Sequence, residues 1–162
     1  MSTVYLLTGS NLGHSAAFLA EAASQIEQKL GKIVRRSSLY ETAPWGNTNQ
    51  PFFLNQVLVL ETLLDPEPLM RSLLDIENNM GRKRAEKYGP RTIDIDQLFY
   101  ENKVHNSDIL VLPHPEIQNR RFALVPLQEV APELIHPLLH KSITALLDTC
   151  LDHSNVQKKI LL

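Results

Sequence analysis

Residues 52–81 read FFLNQVLVLETLLDPEPLMRSLLDIENNMG, a strand and a helix in immediate succession. Phe52 to Glu61 is the strongest strand signal in the chain. Period-two geometry sets Phe53, Asn55, Val57 and Val59 on one face and Leu54, Gln56, Leu58 and Leu60 on the other. Asp65-Pro66 then opens a helix, with an acid at the N-cap and proline at the first helical position. Leu69, Leu73, Ile76 and Met80 recur at helical spacing until Gly81 ends it.

Working outward, Val4 to Leu7 reads as a short buried strand stopped by the turn cluster Thr8-Gly9-Ser10-Asn11. Ser15 is placed to cap a helix whose apolar face is Phe18, Leu19, Ala22, Ala23, Ile26 and Leu30, with Gly31 past its end. Residues 32–40, KIVRRSSLY, read as one further strand, and Thr42 to Pro51 as a turn-rich loop holding the only tryptophan. Downstream, a polar and basic loop covers 82–90, a strand runs from about Thr92 to Tyr100, and Glu101-Asn102-Lys103 turns it toward a partner near Val104. Five prolines punctuate 110–137 and leave room for a short helix around Arg120 to Leu127; Ser142 to Leu151 is a last small helix. The order βαββα, then a hairpin, then short helices, predicts an α+β fold: a largely antiparallel sheet with helices packed on it. No repeat or long linker divides the chain, so residues 1–162 are expected to form one domain.

Composition narrows the function. At 43% hydrophobic and 21% charged over 162 residues, the chain can bury a substantial core, which excludes wholesale disorder. Eighteen acidic against 16 basic residues give a net charge of −2, so no global positive field points to nucleic acid or a membrane surface. A single cysteine, Cys150, removes internal disulfides and cysteine-based zinc motifs. The opening MSTVYLLTGS does not read as a signal peptide, and no apolar run reaches the roughly 18 residues of a membrane span. A cytoplasmic location is expected.

The chemistry concentrates in GRKRAEKYGPRTIDID, residues 81–96. Arg82, Lys83, Arg84, Lys87 and Arg91 supply five of the 16 basic residues within this stretch, opposed before Arg91 only by Glu86. Asp94 and Asp96 follow, two apart in a strand, so both carboxylates share one face while Ile93 and Ile95 take the other. Like charges so placed repel unless a cation lies between them. Mg²⁺ typically takes one or two carboxylates together with substrate phosphate oxygens and water. Arginines beside it offer fork-shaped hydrogen bonds to phosphate. A solvated basic loop or an exposed acidic strand edge explains either feature alone; their adjacency points to a polyphosphate–metal site. No G-x-x-x-x-G-K-[ST], G-x-G-x-x-G or protein-kinase signature is present, so the nucleotide is held by another route. Asn55, on the strand face of Phe53, has two donors and an acceptor suited to the edge of a flat heterocycle, though an amide bonded to a neighbouring loop is the plainer alternative. Trp45, Phe53 and Phe122 are the candidate stacking rings, and His114 a candidate phosphate contact.

Read together, GSNLG (9–13), SSLYETAPWG (37–46), QPFFLN (50–55), GPRTIDID (89–96) and LPHPEIQNRRFALVPLQEVAPELIHP (112–137) resemble the 6-hydroxymethyl-7,8-dihydropterin pyrophosphokinase family of folate biosynthesis. The resemblance covers nearly the whole chain, and GPRTIDID is its most specific block. It implies a ferredoxin-like three-layer α/β/α sandwich, a monomer, and transfer of pyrophosphate from ATP to the pterin hydroxymethyl group with release of AMP. It further implies that Asp94 and Asp96 bind two Mg²⁺ ions with ATP, and that Arg82 and Arg91 are catalytic. Glu77, Arg84, His114 and Arg120 would belong to the ATP site. Asn55 and Phe122 would hold the pterin, in a pocket lined by Thr42, Pro44, Trp45 and Phe53. Phe53, Tyr88 and Pro115 stand where some relatives of that family have tyrosine, tryptophan and tyrosine. Two other readings compete: a ferredoxin-like RNA-binding module, which has no use for the Asp94/Asp96 pair, and a metal-dependent phosphohydrolase, which uses water as acceptor.

Overall fold

A computed structural model describes residues 1–43, 49, 51–81 and 92–159. The strand and helix of residues 52–81 form as β4 (Phe53–Thr62) and α2 (Pro66–Asn79). Before them run β1 (Ser2–Ser10), α1 (Ser15–Lys29), β2 (Gly31–Arg36) and β3 (Tyr40–Thr42). After them come β5 (Asp94–Tyr100), the small hairpin β6 (His105–Asn106) and β7 (Val111–Leu112), a 3₁₀ turn at Ile117–Asn119, α3 (Arg121–Val130), α4 (Ile143–Asp148) and β8 (Val156–Lys158).

The main sheet has six strands in the order β5-β1-β4-β3-β8, with β2 also paired to β4. Every pairing is antiparallel. Each of α1 and α2 links two strands with another strand inserted between them, a doubled split β-α-β pattern. The alternation read in β4 then sorts the core. Leu54, Leu58 and Leu60 pack with α1 and α2 residues such as Ile26 and Leu73. Val57 and Val59 pack with Leu124 and Leu127 of α3 and Leu146 of α4. Helices therefore cover both faces of an antiparallel sheet, as expected of an α+β sandwich.

Several local expectations are corrected. The single strand over 32–40 breaks into β2 and β3 because Ser37 bonds with its side chain as well as its backbone. Its hydroxyl accepts the Val57 amide at 2.9 Å and donates to the Ser38 carbonyl at 2.7 Å, local bonding that ends the ladder. Ser15 is the first helical residue of α1, and His14 occupies the N-cap. Asp65 caps α2 by position without a side-chain hydrogen bond, whereas Ser142 caps α4 by accepting the Ala145 amide at 3.1 Å. Strand β8 had no counterpart in the sequence reading.

Candidate active site

β5 lies at the sheet edge, and its register decides what faces what. Gly9 of β1 pairs with Asp94 of β5 on one side and with Asn55 of β4 on the other. Leu7 likewise pairs with Asp96 and with Val57. Cross-strand partners share a face, so both carboxylates and the amide lie on the side covered by α3 and α4. Asp94 and Asn55 stand on either side of Gly9, with backbones about 10 Å apart, two strand spacings. The aspartates are half-buried, while Ile93 and Ile95 are buried in the opposite core.

The edge strand is held where those carboxylates need it. Glu77, near the end of α2 and 2% exposed, accepts the Ile95 amide through Oε2 at 2.6 Å. A donor on a sheet edge would otherwise lack a strand partner, and here it is the amide between the two aspartates. Further along, the His114 amide donates to the Leu98 carbonyl at 2.9 Å. The His114 ring accepts the Glu116 amide at Nδ1, 3.2 Å away, which leaves its proton on Nε2. Burial, aided by the Arg120 charge, lowers its pKa to about 4, so at neutral pH the ring is an uncharged N–H donor. The Arg120 guanidinium sits 5.7 Å from the centroid of the Phe122 ring, within cation–π reach.

Asn55 is 5% exposed and donates Nδ2 to the Thr8 carbonyl at 3.2 Å. Only the amide's NH₂ end can donate there, so the other end is fixed as the acceptor. That Oδ1 is buried and accepts no hydrogen bond among the described residues. The bond to a neighbouring loop given as the plainer alternative does not form through Nδ2: its partner is the carbonyl of Thr8 within β1, and that bond leaves the acceptor end available. Thr42 and Phe53 pair across β3 and β4 on the same face, Thr42 buried and Phe53 half-buried. Helix α3 lies over this face and is tied at both ends. At its start, the Asp152 carboxylate accepts the Arg121 amide at 3.1 Å. At its end, Glu129 accepts the Tyr40 hydroxyl at 2.6 Å and the Ser38 hydroxyl at 2.9 Å. Phe122, half-buried on the first turn, is therefore carried by a helix with little freedom to shift.

Among the predicted residues, the structure brings together Asp94, Asp96, Asn55, Thr42 and Phe53 on one sheet face, with Phe122 on the helix above it. His114 and Glu77 flank β5. Arg82, Arg84, Arg91, Pro44 and Trp45 lie outside the described residues. Tyr40, Glu129 and Asp152 have no role in the sequence analysis and carry no local signal; Gly9, expected in a turn that stops the first strand, lies within β1 and is paired on both sides. A cavity of about 440 Å³ lined by His14, Phe52 and Leu54 opens elsewhere, on the α1 side of β4.

The donor set fits a hard divalent cation. It offers two carboxylates on one face, and no group of three or more His, Cys, Asp and Glu forms among the described residues. A cation here would complete its shell with oxygens from substrate and water, which is the habit of Mg²⁺.

An antiparallel sheet with helices on both faces and an acidic pair on its edge strand defines the chain as an α+β domain, and solved structures share the fold. A crystal structure of Plasmodium falciparum HPPK-DHPS with pteroate matches 91% of this chain with a TM-score of 0.73 at 19% identity. An HPPK-DHPS in complex with substrates matches 92% with a TM-score of 0.74 at 16% identity. This chain spans 42% and 45% of those longer chains. The model of the 7,8-dihydro-6-hydroxymethylpterin-pyrophosphokinase (HPPK) family matches residues 5–132. Relatives described as 2-amino-4-hydroxy-6-hydroxymethyldihydropteridine pyrophosphokinase share 45% identity in Methylorubrum extorquens, over 83% of this chain and 86% of that one. In Haemophilus influenzae the identity is 37%, over 97% and 98%. The chain belongs to the HPPK family. Its members are ATP-dependent pyrophosphokinases of folate biosynthesis, and that dependence calls for a divalent metal with the nucleotide. No helix among the described residues is long and apolar enough to cross a membrane.

Proposed function

We propose that this chain, acting as one domain over residues 1–162 and as a cytoplasmic monomer, transfers pyrophosphate from ATP to 6-hydroxymethyl-7,8-dihydropterin on the α3 face of its sheet. The single observation that carries this reading is the cross-strand alignment Asp94–Gly9–Asn55. That alignment sets an anionic pair suited to metal–nucleotide binding beside a buried amide whose acceptor end has no hydrogen-bond partner among the described residues.

Asp94 and Asp96 would hold two Mg²⁺ ions, which when bound neutralise the triphosphate and stabilise charge on the transferring group. Asn55 accepts a hydrogen bond from a donor on the pterin edge, and Phe122 covers the ring. Thr42, Pro44, Trp45 and Phe53 complete that pocket. His114 donates Nε2–H to a nucleotide oxygen, beside Glu77, Arg84 and Arg120. The hydroxymethyl oxygen bonds to the β-phosphorus in line with the departing bridge oxygen, its hydroxyl proton passes to solvent, and AMP leaves with the bridge oxygen. Phosphoryl-type transfer asks the protein mainly for positioning and electrostatics, so no covalent enzyme intermediate is needed. Arg82 and Arg91 supply the remaining cationic clamp on charge that develops in transfer.

Product identification tests the reading. With ATP, Mg²⁺ and the pterin, AMP should form in step with pterin diphosphate. ADP, or inorganic phosphate released without pterin, would overturn it. Tight RNA binding without magnesium would favour the binding-module alternative.

A further inference from the structure

Glycine weakens a strand interior, having no side chain to pack and the most backbone freedom to lose, so its place within β1 needs a reason. Backbone conformation is not that reason: among the described residues the glycines with positive φ are Gly13 and Gly81. Space is. A Cβ at Gly9 would come within 2.6 Å of Asn55 Nδ2, with the next atoms, Asn55 Cγ and the Leu54 carbonyl, at 3.7 and 3.9 Å. The one severe obstacle is thus the far end of the Asn55 side chain. That amide lies over Gly9 and donates to the Thr8 carbonyl, which is what aims Oδ1.

We infer that Gly9 is a positioning residue for acceptor recognition: its missing side chain lets the Asn55 amide lie across β1 with Oδ1 directed at the pterin edge. The inference rests on the reading that Asn55 binds the pterin. A methyl at position 9 forces the amide to turn, breaks the bond to Thr8 and misaims Oδ1. The backbone neighbour is at ordinary contact distance, so the sheet itself has room for the methyl. The consequence falls on acceptor binding more than on folding. Metal and nucleotide groups at Asp94 and Asp96 lie on the other side of Gly9 and keep their strand.

A double-mutant cycle tests this, reading binding of 6-hydroxymethyl-7,8-dihydropterin with Mg²⁺ and α,β-methylene-ATP, which blocks transfer. Gly9→Ala should weaken pterin binding about tenfold or more, while binding of the nucleotide analogue alone changes less than about twofold. In an Asn55→Ala background, Gly9→Ala should add less than about twofold, because the group it displaces is already gone. Losses that multiply in the double variant, or an equal loss of nucleotide binding, would overturn the inference. Pterin binding intact in Gly9→Ala but weakened in Asn55→Ala would overturn it while leaving the reading of Asn55 standing. Wild-type binding in Asn55→Ala would instead overturn that reading. Should Gly9→Ala fail to fold, Gly9→Ala/Asn55→Ala should fold and bind like Asn55→Ala; failure of the double variant to fold would place the need for glycine elsewhere and overturn the inference.

Discussion

Asp94 and Asp96 put like charges on adjacent positions of one strand face, an arrangement that repels unless cations stand against it. If metal-borne phosphate is what they serve, Asp96→Ala should cut turnover several-hundredfold, about 3 kcal/mol or more of lost charge stabilisation, with circular dichroism unchanged. Near-wild-type turnover at saturating Mg²⁺ would sink the assignment. Asn55 makes a contrasting case. Removing its amide should weaken pterin binding by ~1–3 kcal/mol, roughly ten- to hundredfold, without touching the binding of ATP alone. Equal losses for both ligands in calorimetry would mean that Asn55 supports the fold instead. For Arg82 and Arg91, alanine should depress kcat far more than ATP affinity, and lysine should rescue only in part because a point charge cannot copy a planar fork. A variant that binds ATP poorly yet keeps its kcat would make that arginine an anchor.

Helix α3 carries Phe122 on its first turn, and its hold on the sheet comes from residues far away in sequence. The Asp152 carboxylate accepts the amides of Arg121 and, at 2.9 Å, Ser154. Burial alone would raise its pKa, yet those amides and the Arg121 charge hold it below the usual carboxylate range. Asp152→Ala should therefore lower stability by about 1 kcal/mol and raise the pterin KM, with Asp152→Asn closer to wild type; an unchanged KM would limit Asp152 to a structural role. This element also shows what the sequence disclosed and what it withheld. The period-two pattern of β4 and the 3.6-residue pattern of α2 were legible because burial repeats along each of them, and the spacing of Asp94 and Asp96 carried its face with it. The break at Ser37, the three-residue β8 and the Asp152 contact were not legible, since each is decided by a partner elsewhere in the chain. The same is true of Gly9, whose role exists only once β4 lies beside β1.

On the scale of the whole molecule, two histidines set the acid limit. Burial lowers the pKa of His114 to about 4 and also lowers that of His136, which accepts the Leu138 and Leu139 amides. Unfolded, both return to the ordinary 6.5, so protonation favours the unfolded chain. Their contribution is complete above that value and is lost as pH falls below it, for His114 over the range from about 6.5 to about 4. The depressed carboxylates Asp152 and Glu129 add losses of the same sign at lower pH. The Tm should therefore hold above pH 7 and decline below about 6.5, while the His114 ring signal in NMR should not titrate near 6.5. A His114 midpoint at or above that value would contradict its burial as a neutral donor. Chelating the metal should abolish turnover and leave the Tm of the ligand-free protein nearly unchanged, because Asp94 and Asp96 belong to neither hydrophobic core. In the proposed reaction, metal–nucleotide and acceptor sit on one sheet face, either side of Gly9. Paramagnetic relaxation measures that separation directly, with Mn²⁺ and α,β-methylene-ATP bound and the pterin protons observed. Strong relaxation is expected, greatest at the hydroxymethyl protons, corresponding to about 10 Å or less and abolished by excess Mg²⁺. A bound pterin whose protons show no enhancement would place the acceptor elsewhere and overturn the shared face.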